Sequence, residues 1–155
     1  GAIVSALKER ISNEMKAALL GRHRFRGDVL RSLKAAILNE EVSLVKRDEG
    51  LSDAEIERVI AREVKKRRES AELYRSNGRV ELADPEEKEA AILQEFLPKQ
   101  LSEDELRAVV AEVVAAMDEV SPQQMGQVIG LVKSKVGTAG DGARIAKIVK
   151  ETLVK

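Results

Sequence analysis

Gln94-Glu95-Phe96-Leu97-Pro98-Lys99-Gln100-Leu101-Ser102 decides how this chain is organised. Pro98 has no amide to donate and disfavours the α conformation at Leu97, so a helix arriving from the N-terminal side ends at Phe96 or Leu97. Ser102-Glu103-Asp104-Glu105 then reads as a capping box, the Ser102 hydroxyl taking one free amide and Glu105 reaching back to another. One helix stops and another starts within a few residues. The stretch therefore predicts a helical N-terminal domain over residues 1–96 and a smaller three-helix domain over 97–155.

Working outward, the spacing of apolar residues predicts helices on both sides. A first helix covers Ile3 to Leu20, with Val4, Leu7, Ile11, Met15 and Ala18 on one face, and Gly21 ends it. Arg22-His23-Arg24-Phe25-Arg26 reads as a basic connector, with His23 as a surface residue. A second helix runs from an N-cap at Asp28 to Arg47, presenting Leu30, Leu33, Ile37 and Leu44. Ser52-Asp53-Ala54-Glu55 is another capping box and opens a third helix to Ser76, burying Ile56, Val59, Ile60, Val64, Ala71 and Tyr74. Arg58, Arg62, Lys65 and Glu69 lie on its other side. Lys65–Glu69 and Arg68–Glu72 are spaced to pair on the surface. Asn77-Gly78 is a stop signal. Asp84-Pro85 reads as a restart, Asp84 the N-cap and Pro85 the first helical residue, leading to Ala91, Ile92 and Phe96.

Beyond Pro98 three apolar stripes follow. The first is Leu106, Val109, Val110, Val113 and Met117; the second Met125, Val128, Ile129, Val132 and Val136; the third Ile145, Ile148, Val149 and Leu153. Ser121-Pro122-Gln123-Gln124 opens the middle helix. The Val-rich run from Val109 to Val114 is the one place where a strand competes, and its capping box and length favour helix. The fold class is all-α.

Composition narrows the chemistry. Aromatic residues make up 2% of the chain, too few for a platform on which bases stack. There is no cysteine, which removes disulfides, zinc thiolates and a Cys nucleophile. No apolar run reaches the roughly 20 residues needed to span a bilayer. The chain opens on Gly1-Ala2 rather than Met, as a processed end or an expression scar would, and no secretory start follows. A cytoplasmic protein is the expectation. His23 is the only histidine, and the serines sit mostly at helix starts. No nucleophile elbow, P-loop or dinucleotide fingerprint is present. Glu86, Glu87 and Glu89 could hold Mg²⁺, but a helix start favours acids for its own reasons. So no catalytic residue, metal site or cofactor is assigned.

The 27 basic and 27 acidic residues cancel in sum but not locally. Arg58 to Arg68 holds six basic residues against Glu63; Glu81 to Glu95 holds six acidic residues against Lys88; Pro122 to Lys155 holds six basic against two acidic. The ordinary reading is that acidic and basic helices complement each other inside the fold. The functional one is that Arg62, Lys65, Lys66, Lys133, Lys135, Arg144 and Lys147 meet an anionic partner. Gly126 and Gly130, four apart on one helix face, mark a place of close packing or of a partner's approach, since mid-helix glycine costs roughly 1 kcal/mol relative to alanine. Gly137 to Gly142 reads as a flexible loop entering a helix N-terminus, where free amides suit a phosphate.

Taken in order, several of these segments carry a resemblance: Leu30-Arg31-Ser32-Leu33-Lys34-Ala35-Ala36-Ile37 with Asn39-Glu40; Lys65-Lys66-Arg67-Arg68-Glu69-Ser70; Asn77 to Ala83; Phe96 to Ser102; and Met125-Gly126 with Val128 and Gly130. From about Leu7 to Leu153 the sequence resembles the YqeY family, whose C-terminal part is similar to the tail domain of GatB. GatB is a subunit of the glutamine-dependent amidotransferase that acts on mischarged tRNA. The resemblance implies a helical N-terminal domain followed by a three-helix domain. It also implies association with tRNA or other RNA, or with amidotransferase or translation proteins. A carbon–nitrogen ligase activity with glutamine as donor is what the family relation alone implies, and no constellation in this chain supplies it. The sequence departs from the family pattern at Thr138, where a basic residue is usual, and at Gly140, which lengthens the loop; both weaken a phosphate contact at the loop itself.

Overall fold

Seven α-helices and two 3₁₀ turns make up the computed structural model, which describes residues 5–154. There is no strand among the described residues. Helix α1 spans Ala6–Leu20, α2 Arg24–Ser43, α3 Asp53–Ser76, α4 Val80–Gln94, α5 Glu103–Ala115, α6 Met125–Val136 and α7 Gly142–Val154. Contacts gather into two compact units that part between Leu97 and Pro98.

The first unit packs around one core. Ile11 of α1, Leu30, Leu33 and Ile37 of α2, Ile56, Val59, Ile60 and Val64 of α3, and Ala90 and Leu93 of α4 are all buried in it, with Leu51 and Phe96. Phe96 is capped by the guanidinium of Arg10, 4.5 Å from the ring centroid. Among the described residues one charged side chain, Glu41, is buried, and the Lys8 ammonium neutralises it at 2.8 Å. The second unit has its own core of Leu106, Val110, Val113, Val128, Val132, Ile145, Ile148 and Val149.

Both capping boxes form: the Ser52 and Ser102 hydroxyls accept from the amides of Glu55 and Glu105, whose carboxylates accept from the Ser52 and Ser102 amides. Gln124 likewise accepts from the Ser121 amide at 2.9 Å, over a 3₁₀ turn at Pro122–Gln124 that leads into α6.

Several boundaries differ from expectation, each for a physical reason. Ile3 and Val4 lie outside the described residues, and α1 begins after an N-cap at Ser5. Helix α2 starts at Arg24, four residues before Asp28, so the basic connector shrinks to Gly21-Arg22-His23. It ends at Ser43, leaving Leu44 46% exposed rather than in the core. Helix α4 starts at Val80 and runs through Pro85. Proline inside a helix removes one hydrogen bond and costs about 3 kcal/mol. Packing against α3 offsets that cost: Ala83 and Ala90 on either side of Pro85 are fully buried. The buried face of α4 is Ala83, Ala90 and Leu93, while Ala91 is exposed and Ile92 half-buried. Tyr74 is half-buried too.

Three helix ends share one device. After α1, α2 and α3 the chain turns through a left-handed residue whose neighbour's amide bonds back to the last turn: His23 to Ala18 O at 2.8 Å, Lys46 to Glu41 O at 2.7 Å, Arg79 to Tyr74 O at 2.7 Å. The left-handed residue after α3 is Gly78, as steric freedom favours. After α1 it is Arg22 (φ 63°) and after α2 it is Val45 (φ 56°), and neither is glycine.

Candidate nucleic-acid interface

In the first unit, every basic residue from Arg62 to Arg68 has a carboxylate beside it. Arg62 pairs with Glu40 of α2, Lys65 with Glu69 at 3.9 Å and Lys66 with Glu63 at 3.3 Å. Arg67 bonds Glu63 at 2.9 Å and lies 3.4 Å from Glu89 of α4, close but unaligned, so its Nε–H is buried without an acceptor. Arg68 turns to Glu87 of α4 at 3.8 Å, not to Glu72. The acidic run of α4 and the basic run of α3 therefore complement each other within one helical pair. Burial without full compensation pushes the Glu89 carboxyl up. Arg62, Lys65 and Lys66 remain 59%, 78% and 71% exposed, and such surface pairs are worth about 0–1 kcal/mol each, so an anion could displace them.

The second unit distributes its cations differently. Lys135 reaches across to Glu112 of α5 at 2.9 Å. Lys133, three residues after Gly130 and seven after Gly126, has no carboxylate partner among the described residues; its ammonium lies against the first residue of α7, 3.4 Å from where a Cβ on Gly142 would stand. Arg144 and Lys147 are exposed and carry no salt bridge among the described residues. Both act at longer range on Glu103, whose carboxyl is held below the usual range chiefly by its hydrogen bond from Arg107, with Lys147 and Arg144 adding to the effect. Lys150, one helical step beyond Lys147, is exposed and likewise has no salt bridge among the described residues. The spacing of three from Lys147 was the signal that could have found it.

A chain segment of residues 137–142 is not the free flexible loop expected. Gly137 to Ala139 forms a 3₁₀ turn, held by Gln100 Nε2 donating to Thr138 O at 2.7 Å and the Leu101 amide donating to Ala139 O at 2.8 Å. A Cβ at Gly140 would meet Val136 Cγ2 at 2.7 Å and Ile145 and Leu106 at 3.1 Å, so this glycine is required by packing. At the start of α7 the Asp141 carboxylate accepts from the Arg144 amide at 3.0 Å. An acid thus already serves the amide that a phosphate would have sought.

On the glycine face of α6 one of the two expected uses, close packing inside the unit, is absent, and a partner's approach is left. A Cβ at Gly126 or Gly130 would meet nothing within 4 Å. No helix of this unit packs closely there, and the face is open. The structure thus gathers Lys133 with the bare Gly126/Gly130 face and the start of α7, sends Lys135 to the other flank of α6, and leaves Arg62, Lys65 and Lys66 paired in the first unit.

The YqeY family model, described as Yqey-like protein, matches residues 8–153. The chain belongs to the YqeY family. No curated protein matches it. Within this YqeY-family chain no group of three or more His, Asp or Glu side chains among the described residues is placed to hold a metal ion. Among the described residues no helix is long and apolar enough to cross a membrane.

Proposed function

We propose that this YqeY-family protein is a non-catalytic accessory protein that associates with RNA, tRNA first among candidates, in the cytoplasm. The observation that supports it is the set of unpaired cations of the second unit, Lys133, Arg144 and Lys147, beside a helix face stripped of side chains at Gly126 and Gly130. A phosphate backbone needs cations without internal partners and room for close approach, and this surface offers both. With 2% aromatic residues, base stacking contributes little, so binding would track charge and shape rather than sequence. Arg62, Lys65 and Lys66 are secondary contacts that must first leave their carboxylates.

The test is tRNA binding by the full chain across a salt series. Affinity should fall steeply as salt rises, and reversing Lys133, Arg144 and Lys147 to Glu should flatten that slope; absent or salt-independent binding would sink the reading. The open Gly126/Gly130 face also supports a second reading, a helical adaptor for an amidotransferase or translation protein. There Gly126→Leu should release the partner in a pull-down while leaving tRNA binding by the cations intact.

A further inference from the structure

Between Glu14 and Asp28 the sequence has no acid, and it places Lys16, Arg22, Arg24 and Arg26 there with its one histidine. Arg26 is answered, by Glu14 at 2.7 Å and Glu95 at 2.9 Å. Lys16, Arg22 and Arg24 have no carboxylate partner among the described residues. The acids that flank them in sequence are engaged elsewhere, Glu14 by Arg10 and Arg26, and Asp28 beside Arg31 at 3.7 Å. The tip of the α1–α2 hairpin is therefore positive charge left over after internal pairing, unlike the run from Arg62 to Arg68.

The same tip carries apolar surface. Every residue from Leu20 to Phe25 is exposed, Leu20 at 86% and Phe25 at 45%. Of the three aromatic residues, Phe96 is buried under Arg10 and Tyr74 is half-buried; Phe25 is the exposed one, and no cation or ring of the described residues stacks on it. The turn is fixed: the amides of Gly21 and His23 donate to Ala17 O at 2.9 Å and Ala18 O at 2.8 Å. Behind it a Cβ at Gly27 would meet Leu19 Cδ2 at 2.5 Å, so α1 and α2 cross closely. Arg22 stands at φ 63°, where glycine fits better, and the guanidinium is what the turn gains instead. An exposed ring among cations without counter-ions suits a single strand of nucleic acid, the ring taking the face of an unpaired base and the guanidiniums the phosphates beside it. One ring is no platform, but it suffices for one base, and stacking accepts any base. A lipid surface fits less well, since recruitment there draws on roughly four to eight basic residues rather than Lys16, Arg22 and Arg24. We propose that Leu20, Arg22, Arg24 and Phe25 clamp one unpaired nucleotide of RNA, a second contact that rests on the reading of this protein as RNA-associated.

The test gives the full chain two RNA probes, a hairpin with an unpaired loop and a blunt duplex of the same number of nucleotides. The wild type should bind the hairpin at least about fivefold more tightly, the size of one base–aromatic stack. Phe25→Leu should erase that preference with unchanged circular dichroism, since the ring is exposed. Arg22→Gly, which the left-handed turn accommodates, should lower the slope of log K against log salt by about 0.7 on the hairpin. A 5-iodouridine in the loop should crosslink to Phe25 under ultraviolet light, as mass spectrometry of the adduct would show. Equal binding of both probes, or a hairpin preference indifferent to Phe25→Leu, overturns the clamp and leaves the contact through Lys133, Arg144 and Lys147 standing. Binding to neither probe overturns both. Capture by vesicles of phosphatidylcholine and phosphatidylserine that Phe25→Leu abolishes, with RNA binding unchanged, also overturns the clamp and assigns the tip to a lipid surface.

Discussion

Around Arg62 to Arg68 each cation has a carboxylate within 4.0 Å, supplied by α2, α3 or α4, whereas on α6 and α7 Lys133, Arg144 and Lys147 have none among the described residues. In the linear sequence the first block is the more basic of the two. Its charge is spent within the fold, because the acidic run of α4 lies along it. The second block is smaller but, Lys135 apart, left over, because the acids of its unit sit mainly on α5 and at Glu151, where Arg107 and Lys135 take up three of them. What matters for an anionic partner is charge left over after internal pairing.

The sharpest way to break this contrast is charge reversal on both sides. Glu at Lys133, Arg144 and Lys147 should lower tRNA affinity at least tenfold at low salt and reduce the slope of log K against log salt by about two to three, each lost phosphate contact accounting for about 0.7–0.9. Glu at Arg62, Lys65 and Lys66 should change affinity less than threefold. Fluorescence anisotropy titrations would check both, and equal losses would erase the distinction.

Two glycines sharpen the picture of where the second unit is full and where it is open. Gly140→Ala inserts a methyl into atoms 2.7–3.1 Å away and should cost about 1–3 kcal/mol in urea denaturation. Gly130→Ala meets open space on a helix and should stabilise by about 0.5–1 kcal/mol, and tRNA binding measured on the same variant shows whether the bare face is used.

The smallest effect compares the two capping boxes. Glu55 receives hydrogen bonds from Lys46 and the Ser52 amide and is lowered from 4.5 to about 2, while Glu105 is lowered mainly by the Ser102 amide. A carboxyl depressed on folding stabilises above its unfolded pKa and loses that contribution as pH falls through its folded value. Melting temperature should therefore decline between about pH 5 and 2. Glu55→Gln should flatten that decline more than Glu105→Gln does, and identical acid limbs would show that Lys46 adds nothing.

How much of this was legible depended on whether local chemistry decided the matter. Ser52 and Ser102 announced helix starts because their hydroxyls and the glutamates three residues on satisfy each other within one turn. The apolar stripes named the whole second core but missed Val29, Leu51, Ala90 and Leu93 of the first. Asp84-Pro85 misled because the same residues suit a helix start, and only burial of Ala83 and Ala90 against α3 reveals that the helix began earlier. The pairing of Arg68 with Glu87 instead of Glu72 was likewise invisible, since it depends on which helix lies alongside. Gly126 and Gly130 were read as one face, but whether that face was filled or open is a tertiary fact. Lys150 was within reach of helical spacing alone.

The two hydrogen bonds from Gln100 and Leu101 to the turn at Thr138 and Ala139 bear on how this chain can be cut. The capping box at Ser102 looks like the natural first residue of an isolated C-terminal fragment. A fragment begun there would lack the strap that fastens the turn preceding α7, and with it the footing of Asp141 and Arg144. One begun at Pro98 would keep it. Limited proteolysis should accordingly spare Gln100–Leu101 for as long as the strap is fastened, and cleavage there should loosen residues nearly forty positions downstream.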